Sequence, residues 1–132
     1  MNAYVTRDSV SAADDIHAPH ARRFSIKSDW TWQSLVDHAL HGSGLPEIAG
    51  GKAVWALSSN IPLAVVAQQW DEPVLIWRME SDRIALDQSG DEIRLHWSYF
   101  AQLDPELVLE VLRQLRLQAA EESGAAEPRD SA

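Results

Sequence analysis

The sequence predicts an α+β fold: one helix, a five-stranded antiparallel meander and a closing helix. Three observations carry that expectation. Apolar residues keep a helical period over 32–40 and again over 107–115. Between these stretches the period drops to two, in five runs joined by SNIP, DEP, ESD and QSGD. Connections so short and so rich in turn residues admit only antiparallel hairpins.

Residues 1–23 are polar and without sustained periodicity, which predicts a flexible N-terminal arm. The single α+β domain then spans 24–118, and 119–132 (AAEESGAAEPRDSA) reads as a disordered acidic tail. FSIKS (24–28) is a short strand or an extended lead-in. Ser28 and Asp29 offer N-cap oxygens for the helix that follows. Trp32, Leu35, Val36, Ala39 and Leu40 share one face of that helix, and Gly42 and Gly44 stop it. LPEIAGG connects it to the strands KAVWALS (52–58), LAVVAQQW (63–70), VLIWRM (74–79), RIALD (83–87) and EIRLHWSYF (92–100). Asp104 then caps the last helix, with Pro105 at its first turn, where a missing N–H costs nothing. Leu107, Val108, Val111, Leu112 and Leu115 form its expected buried stripe, with Glu110 and Arg113 pairing on its surface.

The last two strands alternate cleanly. Ile84, Leu86, Ile93, Leu95 and Trp97 point one way, and Arg83, Asp87, Glu92, Arg94 and His96 the other. The first three strands are apolar at both parities: Trp55, Leu57, Leu63, Val65, Leu75 and Trp77 against Val54, Val66, Val74 and Ile76. Strands of that kind need cover on both faces. Two helices ~10 Å wide shield roughly one face of a five-stranded sheet with its ~4.8 Å spacing, so a surplus of apolar surface is expected. The first set of six, Trp55 to Trp77, is the candidate surface for a partner or a second copy, and a curled sheet with a slipped register is the competing account.

Chemistry is sparse. The 132 residues carry no cysteine, which excludes disulfides and thiolate metal sites. The net charge of −9 argues against nucleic-acid and membrane surfaces, and no run is long enough to span a bilayer. Asp37, His38 and His41 resemble half a metal site but fall on the polar side of the first helix. His17 and His20 lie in the arm, and His96 has no neighbour in sequence to orient it as a base. Asp71–Glu72 and Asp91–Glu92 are turn residues; Ser58, Ser59, Ser89 and Ser98 lack a nucleophile elbow. AGGK (49–52) lacks the phosphate-loop pattern. No catalytic residue, metal or cofactor is expected.

Three stretches together resemble the class I type III secretion chaperones: SLVDHALHGSGLPEIAGG (34–51), VWALSSNIPLAVVAQQWDEPVLIWRM (54–79) and IALDQSGDEIRLHWSYFAQLDPELVLEVLRQL (84–115). The middle stretch looks most like the invasion-type, multi-effector branch. The resemblance implies a cytoplasmic, non-enzymatic homodimer that binds the N-terminal segment of a secreted effector and keeps it export-competent, in the service of virulence. One departure stands out: the family's second helix, between the third and fourth strands, has only ESD (80–82) in its place. Two other readings remain open. One is an acidic immunity or inhibitor protein blocking a basic toxin or nuclease, whose binding weakens steeply with salt. The other is a small-molecule-binding helix-grip domain, with its cavity between sheet and last helix.

Overall fold

The computed structural model describes residues 1–43, 45–46, 51–76 and 86–122. Its elements run β1 (Asn2–Arg7), α1 (Ala12–Asp15), β2 (Arg22–Ser25), α2 (Trp32–Ser43), β3 (Val54–Ser59), β4 (Ile61–Ala67), β5 (Val74–Leu75), β6 (Gln88–Ser89), β7 (Glu92–Tyr99) and α3 (Pro105–Glu122). This is an α+β arrangement, but the sheet is mixed. Its order is β2-β1-β7-β3-β4-β5, with β6 also paired to β7. A meander would set neighbours in chain order; here β7 lies between β3 and the N-terminal β1, and β1 runs parallel to it.

The expected flexible arm is the largest correction. Residues 2–7 pair with β7 from Asn2↔Glu92 to Arg7↔Trp97 and with β2 on the other edge. Ala3 and Val5 are buried, so apolar burial adds to the strand pairing that holds the segment down. Between β1 and β2, Arg7 grips Asp14 through two hydrogen bonds of 2.7 and 3.0 Å, and Ser11 caps α1 by accepting from the Asp14 N–H. At the other end, α3 continues through 119–122, and the remainder of the expected tail lies outside the described residues.

α2 forms where the periodicity placed it, burying Leu35, Val36 and Ala39. Its start is held by Thr31, not by Ser28 or Asp29: the Thr31 hydroxyl accepts from the Ser34 N–H and its carbonyl from the Leu35 N–H. Gly42 is inside the helix, and Gly44 falls outside the described residues. The third and fourth expected strands are largely outside them too. Of 74–79 only Val74 and Leu75 are strand, and of 83–87 only Leu86 and Asp87 are described, ahead of β6. Asn60 makes the β3–β4 turn and Gly90 the β6–β7 turn, both at positive φ (65° and 59°).

Two cores flank the sheet. Trp55, Leu57, Leu63 and Ala64 join Ala3, Val5, Ile93, Leu95 and Trp97 beneath Leu35, Val36 and Ala39 of α2. Val54, Val65, Ala67 and Ile76 form the second core with Val108 and Leu109 of α3. Alternate residues of β3 enter different cores, so α2 and α3 cover opposite faces. The doubly apolar β3 and β4 therefore receive their two-sided cover from the chain's own helices. A register shift in β4 completes the fit. Ala64 faces Leu57 and Pro62 faces Ser58, leaving Leu63 as an extra residue. That extra residue keeps Leu63 on the α2 face but sends Val65 to the α3 face, opposite Ala56.

Candidate functional site

Four of the six residues expected on a partner surface, Trp55, Leu57, Leu63 and Val65, are buried, at 0–2% exposure. Leu75 is half-buried against the α2-side core, and Trp77 lies outside the described residues. The correction has a single cause: the helices divide between the two faces, so no apolar surplus is left on β3 and β4.

The surplus is on α3 instead. The expected buried stripe of this helix is split. Val108 is buried and Leu112 half-buried against the sheet, joined by Leu109 and Arg116. Leu107, Val111 and Leu115 remain 56%, 49% and 50% exposed, and Leu103, one four-residue step earlier, 53%. A helix apolar around most of its girth can bury only the part that meets the sheet. What remains is a row of large apolar side chains one turn apart, of the kind that marks an interaction surface.

α3 is seated by its cap and by two arginines. Asp104 caps the helix, accepting from the Glu106 N–H at 3.0 Å. Arg113 donates to the Ile76 carbonyl (2.7 Å), and does not pair with Glu110, which accepts from Gln114 instead. Arg116 donates to the Pro62 carbonyl and is 3% exposed; burial pushes its guanidinium down to about 10, so it stays charged at neutral pH. Both basic residues of the helix thus point inward, onto β5 and β4. Asp104, Glu106 and Glu110 stand exposed on the outer side with the leucines.

A second constellation lies on the polar side of β1 and β7. His96 Nε2 meets Asp8 Oδ1 at 2.8 Å, and its Nδ1 meets the Thr6 hydroxyl at 2.7 Å. With the ring proton on Nε2 donated to Asp8, Nδ1 accepts from Thr6. The other Asp8 oxygen accepts from the Tyr99 N–H at 2.9 Å. Sequence reading left His96 unoriented because Asp8 and Thr6 belonged to a segment read as loose. Carboxylate, imidazole and hydroxyl in series have the connectivity of a general-base relay, but the His96 and Asp8 side chains are 42% and 45% exposed. Such a relay in open water lacks the water-excluded, preorganised setting that gives these groups their catalytic leverage. What the three groups do here is fasten β1 to β7. Arg23 lies over the Tyr4 ring at 4.4 Å on the same polar side.

Among the described residues no group of three His, Cys, Asp or Glu side chains is placed to hold a metal ion. His38 packs in a tilted three-ring cluster with Phe24 and Trp30, with ring centroids 4.5 and 4.9 Å away. One cavity, of about 510 Å³, lies away from the last helix, where a helix-grip ligand would sit. It opens beside the start of α2, among Ile26, Trp30, Trp32, Leu35, Leu86 and Ile93. Among the described residues no helix is long and apolar enough to cross a membrane. Comparison with protein-family models, curated proteins and solved structures finds no match.

Proposed function

We propose that this chain is a non-catalytic, cytoplasmic protein-binding module of the type III secretion chaperone kind, and that it holds an effector segment on the outer flank of α3. The observation that carries the reading is the exposed row Leu107, Val111 and Leu115 on a helix anchored to the sheet by Arg113 and Arg116, with exposed Leu103 just before its start. A chain of net charge −9 gains no solubility from such a row, so a partner that covers it is the physical reason to keep it. The resemblance over 34–51, 54–79 and 84–115 supplies the class of client: an effector's N-terminal segment awaiting export. Homodimerisation belongs to the same proposal, through a surface other than this row.

The test is capture of a type III effector's N-terminal segment by the full chain and by a Leu107→Ser/Val111→Ser double variant. Retention by the parent protein and at least tenfold loss in the variant, with its unfolding midpoint preserved, supports the reading. Equal retention by both, or failure of the parent to retain any effector segment, overturns it.

A further inference from the structure

We infer that the segment seated on α3 is a short amphipathic helix whose apolar stripe is flanked by lysine or arginine. The inference rests on the proposed partner-binding role and adds the chemistry of the occupant.

Shape points to a helix. Leu107, Val111 and Leu115 recur every four residues along a convex flank, and such a flank is matched by a second helix carrying the same spacing, ridge into groove. Charge points to a basic one. From 104 to 128 the sequence holds only two basic residues, Arg113 and Arg116, and both donate inward to main-chain carbonyls of β5 and the start of β4. Asp104, Glu106 and Glu110 are exposed, so the rim of the stripe within the described helix is acidic. A second copy laid antiparallel on the same stripe would set Glu110 of one helix close to Glu110 and Gln114 of the other. Like charges at an apolar seam oppose association, whereas basic flanks on the partner complement them. The rim therefore selects against self-pairing on this face and for a cationic partner.

The experiment uses the full chain and three synthetic 18-residue peptides. One carries leucines at helical spacing flanked by lysine and arginine, the second the same leucines flanked by glutamate, and the third is a scramble of the basic peptide. Fluorescence anisotropy at low salt is expected to show the basic peptide binding at least tenfold more tightly than either control. The margin over the acidic peptide should shrink on raising salt to about 0.5 M, since exposed charges are then screened within ~3–5 Å. It should also shrink in a Glu106→Gln/Glu110→Gln variant, while Leu107→Ser/Val111→Ser should abolish binding of the basic peptide. Equal affinity for the two amphipathic peptides, for the basic peptide and its scramble, or no binding of any peptide overturns the inference. So does a parent oligomer that dissociates in the serine variant by sedimentation, which would make a second copy the occupant. Effector capture that needs Leu107 and Val111 but ignores Glu106 and Glu110 would remove the cationic partner and leave the protein-binding role standing. Capture insensitive to the serines would remove that role, whatever the peptides do.

Discussion

Asp8 and His96 stand 88 residues apart in sequence and 2.8 Å apart in space, and one carboxylate closes two strands together by accepting from His96 with one oxygen and from the Tyr99 N–H with the other. Replacing Asp8 with alanine leaves the Tyr99 N–H and the His96 ring without that partner. The expected cost is about 1–3 kcal/mol of unfolding free energy. Thr6→Val, which removes only the hydroxyl, should cost about 1 kcal/mol. Urea denaturation of both variants checks the order.

β1 predicts a sharper outcome. Ala3 and Val5 are buried in the α2-side core, and residues 2–7 pair along one edge of β7 from Glu92 to Trp97. Deletion of residues 1–25 should leave a chain without a cooperative unfolding transition, whereas a truly loose arm could be removed with no effect. Val5→Ala should destabilise by about 1–3 kcal/mol, read by the same denaturation curve.

The two apolar sets should separate stability from binding. Leu57→Ala and Trp55→Ala remove buried side chains and should cost about 2–5 and 3–5 kcal/mol respectively. Leu107→Ser and Val111→Ser change half-exposed positions on α3 and should move stability by no more than about 0.5 kcal/mol each, while partner capture falls. Thermal melts alongside capture measurements decide it. A collapse of stability in the α3 variants would place those residues in a core.

Asp14 sets an acid-side prediction. The Arg7 guanidinium beside it, helped by the Val10 N–H, holds its carboxyl well below the usual carboxylate range. A carboxyl depressed in the folded state stabilises the fold above its unfolded pKa, ~3.9, and loses that contribution as pH falls toward the folded value. The stability difference between the parent protein and Asp14→Asn should therefore be retained above the unfolded carboxyl range. It should narrow progressively below about pH 4, and urea midpoints across that range test the sign.

The parts of the fold legible in sequence were those in which one periodicity dominates. Leu35, Val36 and Ala39 announce α2, and Ile93, Leu95 and Trp97 alternate against Arg94 and His96 as β7 requires. Asp104–Pro105 marks the start of α3 by chemistry alone. β1 was missed although NAYVTR carries a faint strand signal. Ala3 and Val5 alternate with Tyr4 and Thr6, but two small apolar residues in a polar stretch contribute little until β7 is beside them. Without β1, Asp8 has no place and His96 looks unsupported.

The exposed row on α3 was illegible for a different reason. A helix with leucine or valine at 107, 108, 109, 111, 112 and 115 offers several apolar faces, and only the sheet determines which is taken. The extra residue at Leu63 likewise reverses the parity of Val65, and no pattern in β4 marks the shift before Leu57 and Ser58 supply their partners.

The parallel pairing of β1 with β7 has a bearing on how the protein is made. At roughly 5–20 residues added per second, the first strand leaves the ribosome several seconds before residues 92–97, its partner, have been synthesised. For that interval Ala3 and Val5 have no β7 to dock on, and the sheet cannot close at this seam until residues 92–97 have followed. The middle seam therefore closes late, and any early-arriving interactor would meet an open sheet with an unclaimed strand position.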